Sequence, residues 1–122
     1  MIRTYLYVKE RGMVMKLVIA IVHDEDSHKL VDKLTKANFG VTKLASTGGF
    51  LKSGNTTLLV GVEKEKTDKV INIIKEVCKV RKEMTTATPM IGENSSYIPI
   101  PIEVVVGGAT IFVVDIERFE KV

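Results

Sequence analysis

Two kinds of apolar repeat alternate along the chain, and their order restricts the fold more than any other feature. In residues 24–38 and 65–81, apolar side chains recur at the spacing of an amphipathic helix, with charged side chains between them. Runs rich in β-branched and apolar residues at 16–23, 40–46 and 55–63 are typical of strands. The order strand, helix, strand, strand, helix predicts an antiparallel sheet with both helices on one face.

The last third of the chain adds two further strand signals. Residues 102–106 and 110–115 are rich in valine and isoleucine, and Gly107 and Gly108 between them predict a hairpin that pairs the two runs antiparallel. Residues 82–99 are polar and contain or adjoin all 3 prolines, so we expect a long loop that is either a working part of the protein or mobile. The complete order is that of an α+β, ferredoxin-like (βαββαβ) domain with one added hairpin strand.

The length of 122 residues is typical of one domain. Three methionines, Met1, Met13 and Met15, offer translation starts, and the strong strand signal begins only after Met15. We therefore predict a single domain over residues 15–122, preceded at residues 1–14 by an N-terminal extension from an upstream start.

The charge balance is weak evidence for a nucleic-acid partner. The formal net charge is +3, and residues 1–12 contribute +2 of it, so the remaining chain is nearly neutral. RNA-recognition motifs share the predicted topology, but they need aromatic side chains on their central strands. The runs at 16–23 and 55–63 contain no Phe, Tyr or Trp. We therefore expect no nucleic acid as a partner.

The sequence also indicates the compartment. Its apolar runs are far shorter than the roughly 20 residues of a membrane-spanning helix, and its charged opening stretch differs from a secretory signal. The single cysteine, Cys78, cannot form an intrachain disulfide, which fits a reducing compartment. We expect a cytoplasmic protein without membrane insertion, in which Cys78 is a core residue and not a nucleophile.

Motifs of the common enzyme classes are absent from the sequence. It has 2 histidines, no nucleophile elbow, no Walker A loop and no GxGxxG motif. Asp24, Asp26 and His28 could be drawn as a metal site, but capping and the helix dipole alone account for acids at a helix start. We predict no enzymatic activity, no catalytic residue, no metal and no cofactor.

Residues 38–61 carry a locally positive field, because Lys36, Lys43 and Lys52 lie in or near this stretch and no acid occurs between Lys33 and Glu63. In the middle of this stretch, Gly48 and Gly49 can turn backbone N–H groups toward an anion, and Thr47 adds a hydroxyl. The composition suits a phosphate-bearing ligand.

Three further side chains of this stretch can recognise a base. Phe50 can stack on a purine ring, while Asn38 and Asn55 carry amides that can bond a base edge. In the alternative interpretation the glycines are structural and Phe50 packs in the core. The residues alone leave the two interpretations equally supported.

Several motifs resemble the PII-like cyclic-di-AMP receptor proteins. The similarity is carried by residues 15–22, TKLASTGGFL at 42–51, GNTT at 54–57, TPM at 88–90, SYIP at 96–99 and VGGAT at 106–110. The resemblance implies a PII-like homotrimer that binds cyclic-di-AMP in the clefts between subunits. Such a protein is a sensor that signals to a downstream protein partner, whose identity the sequence does not reveal, through loop rearrangement.

The resemblance also implies which residues contact the ligand. They are Asn38, Thr42, Gly49, Phe50, Leu51, Asn55 and Gly61, and the anion-binding argument adds Thr47 and Gly48. Gly40 stands where better-known members of the family carry a ligand-contacting arginine, a loss expected to weaken binding by about ten- to a hundredfold. The alternative functions are a PII-like sensor of another adenine nucleotide and a ligand-independent trimeric interaction module.

Overall fold

The computed structural model of the chain describes residues 13–44, 54–87, 90–91, 96–97 and 99–122. The predicted extension therefore lies outside the described residues, apart from Met13 and Val14. The first half of the chain forms β1 (Met15–His23), α1 (Asp24–Lys36), β2 (Thr42–Leu44) and β3 (Asn55–Glu63). After a 3-10 turn (Lys64–Lys66) come α2 (Thr67–Cys78), β4 (Arg81–Ala87), β5 (Met90–Ile91), β6 (Ser96–Tyr97), β7 (Ile100–Val106) and β8 (Ala109–Ile116).

Four strands form one antiparallel sheet in the order β2-β3-β1-β8. β1 pairs with β3 along its whole length, from Met15 opposite Glu63 to His23 opposite Asn55, and with β8 on its other side. Both β1 and β2 run antiparallel to β3, so they run parallel to each other with β3 between them. This is the split βαβ arrangement, and the predicted ferredoxin-like α+β fold is confirmed.

Both helices pack on one face of this sheet. Alternate residues of a strand face opposite sides, and the even-numbered positions of β1 and β3 face the helices. The buried strand residues on this side are Val18, Ala20, Val22, Leu58, Val60 and Val62. From the helices, Leu30, Leu34, Val70 and Ile74 are fully buried at i,i+4 spacing. Burial of each large side chain contributes about 1.5–3 kcal/mol. Neither helix in the described part of the chain is long and apolar enough to cross a membrane.

The acids at the start of α1 are not its caps. His23 occupies the N-cap position without a side-chain hydrogen bond, and Asp24, Glu25 and Asp26 lie in the first turn. Their negative charge there is favourable to the helix dipole, as expected. The capping expectation was wrong because Asp24 and Asp26 bind other elements, as shown below.

The predicted hairpin between residues 102–106 and 110–115 was also wrong. β7 pairs with β4 and β8 pairs with β1, so the two strands that Gly107 and Gly108 connect belong to different sheets. Both glycines have positive φ angles, 89° and 92°. The Gly108 N–H donates to the Cys78 carbonyl at the end of α2 (2.5 Å). The glycine pair therefore passes the chain across the end of α2 into the main sheet.

Residues 82–99 differ from the predicted long loop. β4 pairs antiparallel with β7, from Arg81 opposite Val106 to Ala87 opposite Ile100, and β5 pairs with β6. We call the β4–β7 ribbon the arm, which lies outside the four-stranded sheet. Polar composition concealed β4, although threonine favours strands. Pro101 is tolerated in β7 because a two-stranded ribbon consists of edge strands.

Candidate ligand-binding site

The structure places four of the nine predicted contact positions. Asn38 follows α1, Thr42 begins β2, and Asn55 and Gly61 lie on β3. The other five positions, between β2 and β3, lie outside the described residues: Thr47, Gly48, Gly49, Phe50 and Leu51.

Thr42 and Gly61 are neighbours on the sheet face opposite the helices. Thr42 pairs with Leu59, and Gly61 lies two residues farther along β3 on the same face. Such diagonal neighbours are about 7–8 Å apart. Gly61 is exposed, and among the residues that the structure describes a Cβ atom built there would meet only Phe119, at 3.9 Å. Within this part of the chain, neither its φ angle nor close packing therefore explains a glycine in the middle of the strand.

Asn55 lies far from these two residues in the same chain. It is separated from Gly61 by six residues of extended strand, which is about 20 Å at the usual rise of 3.3–3.4 Å. Asn55 pairs with His23, and Leu44 pairs with Thr57 two residues farther along. Both ends of the stretch that joins β2 to β3 therefore lie at the Asn55 end of the sheet. Of the predicted contact positions, Thr42 and Gly61 therefore lie toward one end of β3, and Asn55 lies at the other end.

Asn38 has a structural role that sequence reasoning missed. Its φ is 67°, in the left-handed region that asparagine tolerates better than most residues. Its N–H donates to the Thr35 carbonyl at 2.9 Å, and the Phe39 N–H donates to the Leu34 carbonyl at 3.0 Å. These two bonds form a Schellman motif that ends α1. An asparagine directly after a helical repeat is the signal that could have revealed it. The Asn38 side chain is exposed.

Asp24 contacts both neighbours of Asn55. Its N–H donates to the Gly54 carbonyl at 2.9 Å, and the buried Thr56 hydroxyl donates to its carboxylate. The Ser27 hydroxyl donates to the Asp24 carbonyl at 2.8 Å, within the first turn of α1. The first turn of α1 thus holds the turn that begins β3.

Asp26 connects the same helical turn to the arm. Its carboxylate is buried and accepts two hydrogen bonds from the Arg81 guanidinium, at 2.7 Å and 3.3 Å. The hydrogen bonds from Arg81 to Asp26 and then to Glu83 raise the pKa of the guanidinium. Arg81 also donates to the Lys79 carbonyl at 3.2 Å, where α2 has ended. Because Asp26 and Arg81 are 55 residues apart in sequence, no local pattern indicates their contact.

Cys78 is buried beside this ion pair. Its side chain is 1% exposed and belongs to the core cluster, so the predicted core role is confirmed. Burial raises the pKa of the Cys78 thiol to about 11, with a smaller contribution from the Asp26 charge that Arg81 partly offsets. The thiol is therefore protonated at neutral pH, unlike a reactive cysteine.

The sheet face that carries Thr42 and Gly61 is apolar, and both described helices lie on the other side. Its large exposed side chains are Leu44, Phe112 and Val114, and they adjoin the partly buried Leu17 and Ile19. Apolar patches of this kind mark interaction surfaces. A groove of about 150 Å³ lies on the helix side of β2, lined by Ser27, His28, Val31, Val41 and Lys43. None of the four described contact positions lines this groove.

Comparison with known proteins adds independent information. Residues 15–122 match the family model described as "Cyclic-di-AMP receptor". A solved structure described as "a functionally unknown protein from Pediococcus pentosaceus ATCC 25745" is 43% identical and superposes with a TM-score of 0.70. The match covers 90% of this chain and 99% of that chain.

Proposed function

Because this chain belongs to the cyclic-di-AMP receptor family, we propose that it binds cyclic-di-AMP at the predicted positions and acts as a receptor, not an enzyme. The observation that carries the placement of the site is Gly61. A glycine inside a strand costs stability and often marks the close approach of a ligand. Since no packing or φ requirement within residues 13–44, 54–87 and 99–122 accounts for it, Gly61 leaves room for a ligand over the strand beside Thr42.

The site is assembled between copies of the chain. Within one chain, Asn55 lies about 20 Å from Gly61 along β3, too far for one base or one phosphate to contact both. A neighbouring copy that brings its Asn55 to the Thr42 and Gly61 end of the first copy places both groups on one ligand. In this contact each copy uses one surface toward one neighbour and a different surface toward the other. Such a heterologous interface, repeated around a three-fold axis, closes into a homotrimer with three clefts.

The apolar sheet face supports the same assembly. Leu17, Phe112 and Val114 share that face with Thr42 and Gly61. Contact with other copies would remove these side chains from water. This burial would stabilise the assembly by about 25 cal/mol for each Å² of apolar surface buried. Oligomerisation and completion of the ligand site are therefore one event.

Each contact has a chemical role in this proposal. Phe50 stacks on an adenine, and the amides of Asn38 and Asn55 bond polar edges of the ligand. Thr42, Thr47 and the backbone of Gly48 and Gly49 meet phosphate or ribose, while Leu51 and Gly61 complete the cleft wall. A dianionic ligand of this size suits the locally positive field of residues 38–61 better than a long polyanion does.

The signal passes to a partner protein through rearrangement of the segment between α2 and β7. The first turn of α1 contacts residues 54–56 through Asp24 and the arm through Asp26. A ligand that binds one arrangement of these elements more tightly shifts the population toward it. Hydrogen exchange of the arm amides with and without cyclic-di-AMP tests this step, and identical exchange would contradict it.

Isothermal titration with cyclic-di-AMP is the primary test. We expect binding at three sites per trimer, and we expect Phe50→Ala to weaken it without lowering the thermal midpoint of the free protein. If ATP binds and cyclic-di-AMP does not at high micromolar concentration, the protein is a sensor of another adenine nucleotide. If no nucleotide binds or changes the melting temperature, the protein is an interaction module.

Mixed trimers test the shared cleft. Gly61→Val leaves a residue that favours strands but fills the space over β3, and Asn55→Ala removes the contact at the other end. Each variant alone should lose binding. Refolded together, they should recover some intact clefts, because the normal halves of two different chains meet. A trimer carrying both substitutions in every chain is the control. No recovery in the mixture would show that one chain supplies the whole site.

A further inference from the structure

We propose that Asp24 is a positioning residue of the ligand site, which holds residues 54–56 so that Asn55 faces the cleft. The inference rests on the proposed function and deepens it, because nothing in the sequence pattern assigned Asp24 to the site. It concerns a residue that contacts the site's frame and not the ligand.

Asp24 forms hydrogen bonds with the residues on both sides of Asn55. The Asp24 N–H donates to the carbonyl of Gly54, at 2.9 Å, and the Asp24 carboxylate accepts the hydroxyl of Thr56. Gly54 has a φ of 91°, so the chain turns sharply before entering β3. The orientation of Asn55 is therefore set by a turn whose residues before and after Asn55 are both held by Asp24 of α1.

The side-chain bond has no simple substitute. Thr56 is buried, 5% exposed, and its hydroxyl loses a hydrogen-bond partner when the carboxylate is removed. Unsatisfied buried hydroxyls are costly, and hydrogen bonds to a carboxylate are stronger than neutral ones. The backbone bond to Gly54 survives any side-chain change at position 24. Loss of the carboxylate should therefore loosen residues 54–56 without dissolving the fold.

Charge makes the sign of the test unambiguous. Cyclic-di-AMP is an anion, so removal of a nearby carboxylate should by electrostatics alone tighten binding or leave it unchanged. Glu25, an exposed acid in the same helical turn, is the matched control for this effect. A positioning role predicts the opposite sign for Asp24.

The experiment compares four single variants and one double variant by titration with cyclic-di-AMP. Asp24→Ala should raise Kd by about tenfold, the effect of one lost hydrogen bond of this strength. Thr56→Val removes the same bond from the other side and should do the same. The double variant should be no weaker than the worse single variant, because both remove one interaction. Asp24→Asn keeps the accepting oxygen and should stay within about twofold of wild type, as should Glu25→Ala.

Other outcomes would overturn the inference. If Glu25→Ala weakens binding as much as Asp24→Ala, the effect is one of the helix and its charge. If Asp24→Asn is as weak as Asp24→Ala, the hydrogen bond is not the cause, and wild-type affinity in Asp24→Ala removes the residue from the site. Should Asp24→Ala fail to fold, Thr56→Val and Asp24→Asn still decide.

Failure of the proposed function would be distinguishable. If wild-type protein binds no cyclic-di-AMP, hydrogen exchange of residues 54–57 in the free protein still tests the positioning role. Exchange there should be faster in Asp24→Ala than in Glu25→Ala, and equal rates in the two variants would refute it.

Discussion

Gly107 lies at the junction of α2, the arm and the main sheet, where the described neighbours leave no room for a side chain. Its φ is 89°, and a Cβ atom there would collide with the Lys79 carbonyl oxygen. The same atom would lie 2.9 Å from the Arg81 guanidinium and 3.0 Å from the Cys78 carbonyl. Since two of these three neighbours are backbone atoms at the end of α2, they cannot rotate away as a flexible side chain does. Gly107→Ala must therefore displace the chain between β7 and β8.

The cost of this substitution has two parts. A residue with a side chain at such a positive φ costs about 1–2 kcal/mol. Displacement of the chain also weakens the hydrogen bond from Gly108 to Cys78, worth about 1 kcal/mol, and strains the helix end. We expect Gly107→Ala to lower the free energy of unfolding by about 2–4 kcal/mol.

Two other glycines separate these parts. Gly108 has a φ of 92°, but in the described part of the chain a Cβ atom there would meet only Val80, at 3.5 Å. Gly108→Ala should therefore show only the conformational cost of about 1–2 kcal/mol. Gly40 has no positive φ, and no atom of the residues that the structure describes lies within 4 Å of a Cβ built there, so Gly40→Ala should stay within about 0.5 kcal/mol of wild type.

Urea unfolding followed by far-UV circular dichroism measures the three variants, all at one protomer concentration because the stability of an oligomer depends on it. The expected order of destabilisation is Gly107→Ala, then Gly108→Ala, then Gly40→Ala. Equal loss at positions 107 and 108 would refute the steric argument. Wild-type stability at both would refute the left-handed conformation itself.

Three further predictions concern the core, the thiol and the arm. Leu30→Ala removes a fully buried side chain of α1 and should cost about 2–5 kcal/mol by urea unfolding; no more loss than in Val31→Ala, at a partly buried position, would contradict its place in the core. The pKa of Cys78 is raised from its ordinary value near 9 to about 11 in the folded protein. Between pH 9 and 11 the unfolded chain loses the thiol proton while the folded protein keeps it, so the contribution of Cys78 to stability is present below pH 9 and is lost as pH rises toward 11. Cys78→Ala should therefore lose less stability than wild type between pH 9 and 11, and parallel pH profiles would show that the thiol does not titrate differently on unfolding. Arg81→Gln removes the ion pair with Asp26 and should speed hydrogen exchange in β4 more than in β3; unchanged exchange in β4 would show that this pair does not anchor the arm.

The central strands were predictable because local pattern and tertiary environment agree there. β3 spans Asn55–Glu63, the same bounds that the sequence predicts, since its apolar positions face a helix-covered core and both of its edges are paired. The two helices were located by their apolar repeat, but α2 ends at Cys78, not at residue 81. There the carbonyl of Cys78 meets Gly108, a partner 30 residues away that no local repeat encodes.

The arm was missed for the same reason. β4 is polar, and its strand conformation depends on pairing with β7 across the segment that the sequence predicted as loop. The glycine pair suggested a hairpin because its residue type fits a tight turn, but the edge of β1 is the better partner for β8, with Ala20 opposite Ile111 in the core. The residue types of the turn do not reveal whether β8 pairs with β7 or with β1.

In the candidate site, too, individual residues could be predicted from the sequence, but their long-range contacts could not. Residue chemistry and the family resemblance predict Asn38, Thr42, Asn55 and Gly61 as ligand contacts. The supporting bonds of Asp24 to Thr56 and of Asp26 to Arg81 join residues 32 and 55 positions apart. Sequence reasoning assigned both acids to the helix dipole, which accounts for their charge but not for their partners.

Gly40 offers a test in which the predicted change is a gain. It lies two residues before Thr42, is exposed, and has neither a positive φ nor a close neighbour among the described residues. An arginine is therefore free to extend from this position toward the proposed cleft. Its guanidinium can make a bidentate, charge-assisted hydrogen bond to a phosphate, worth about 1.5–3 kcal/mol.

We expect Gly40→Arg to tighten binding of cyclic-di-AMP by about ten- to a hundredfold in calorimetric titration, without raising the melting temperature of the free protein. Gly40→Lys should gain less, because a lysine lacks the planar fork. Gly40→Gln controls for side-chain length without charge and should stay near wild type. The gain from arginine should also shrink as salt is raised, since it depends on charge. Equal affinities in Gly40→Arg and Gly40→Gln would place Gly40 outside the cleft.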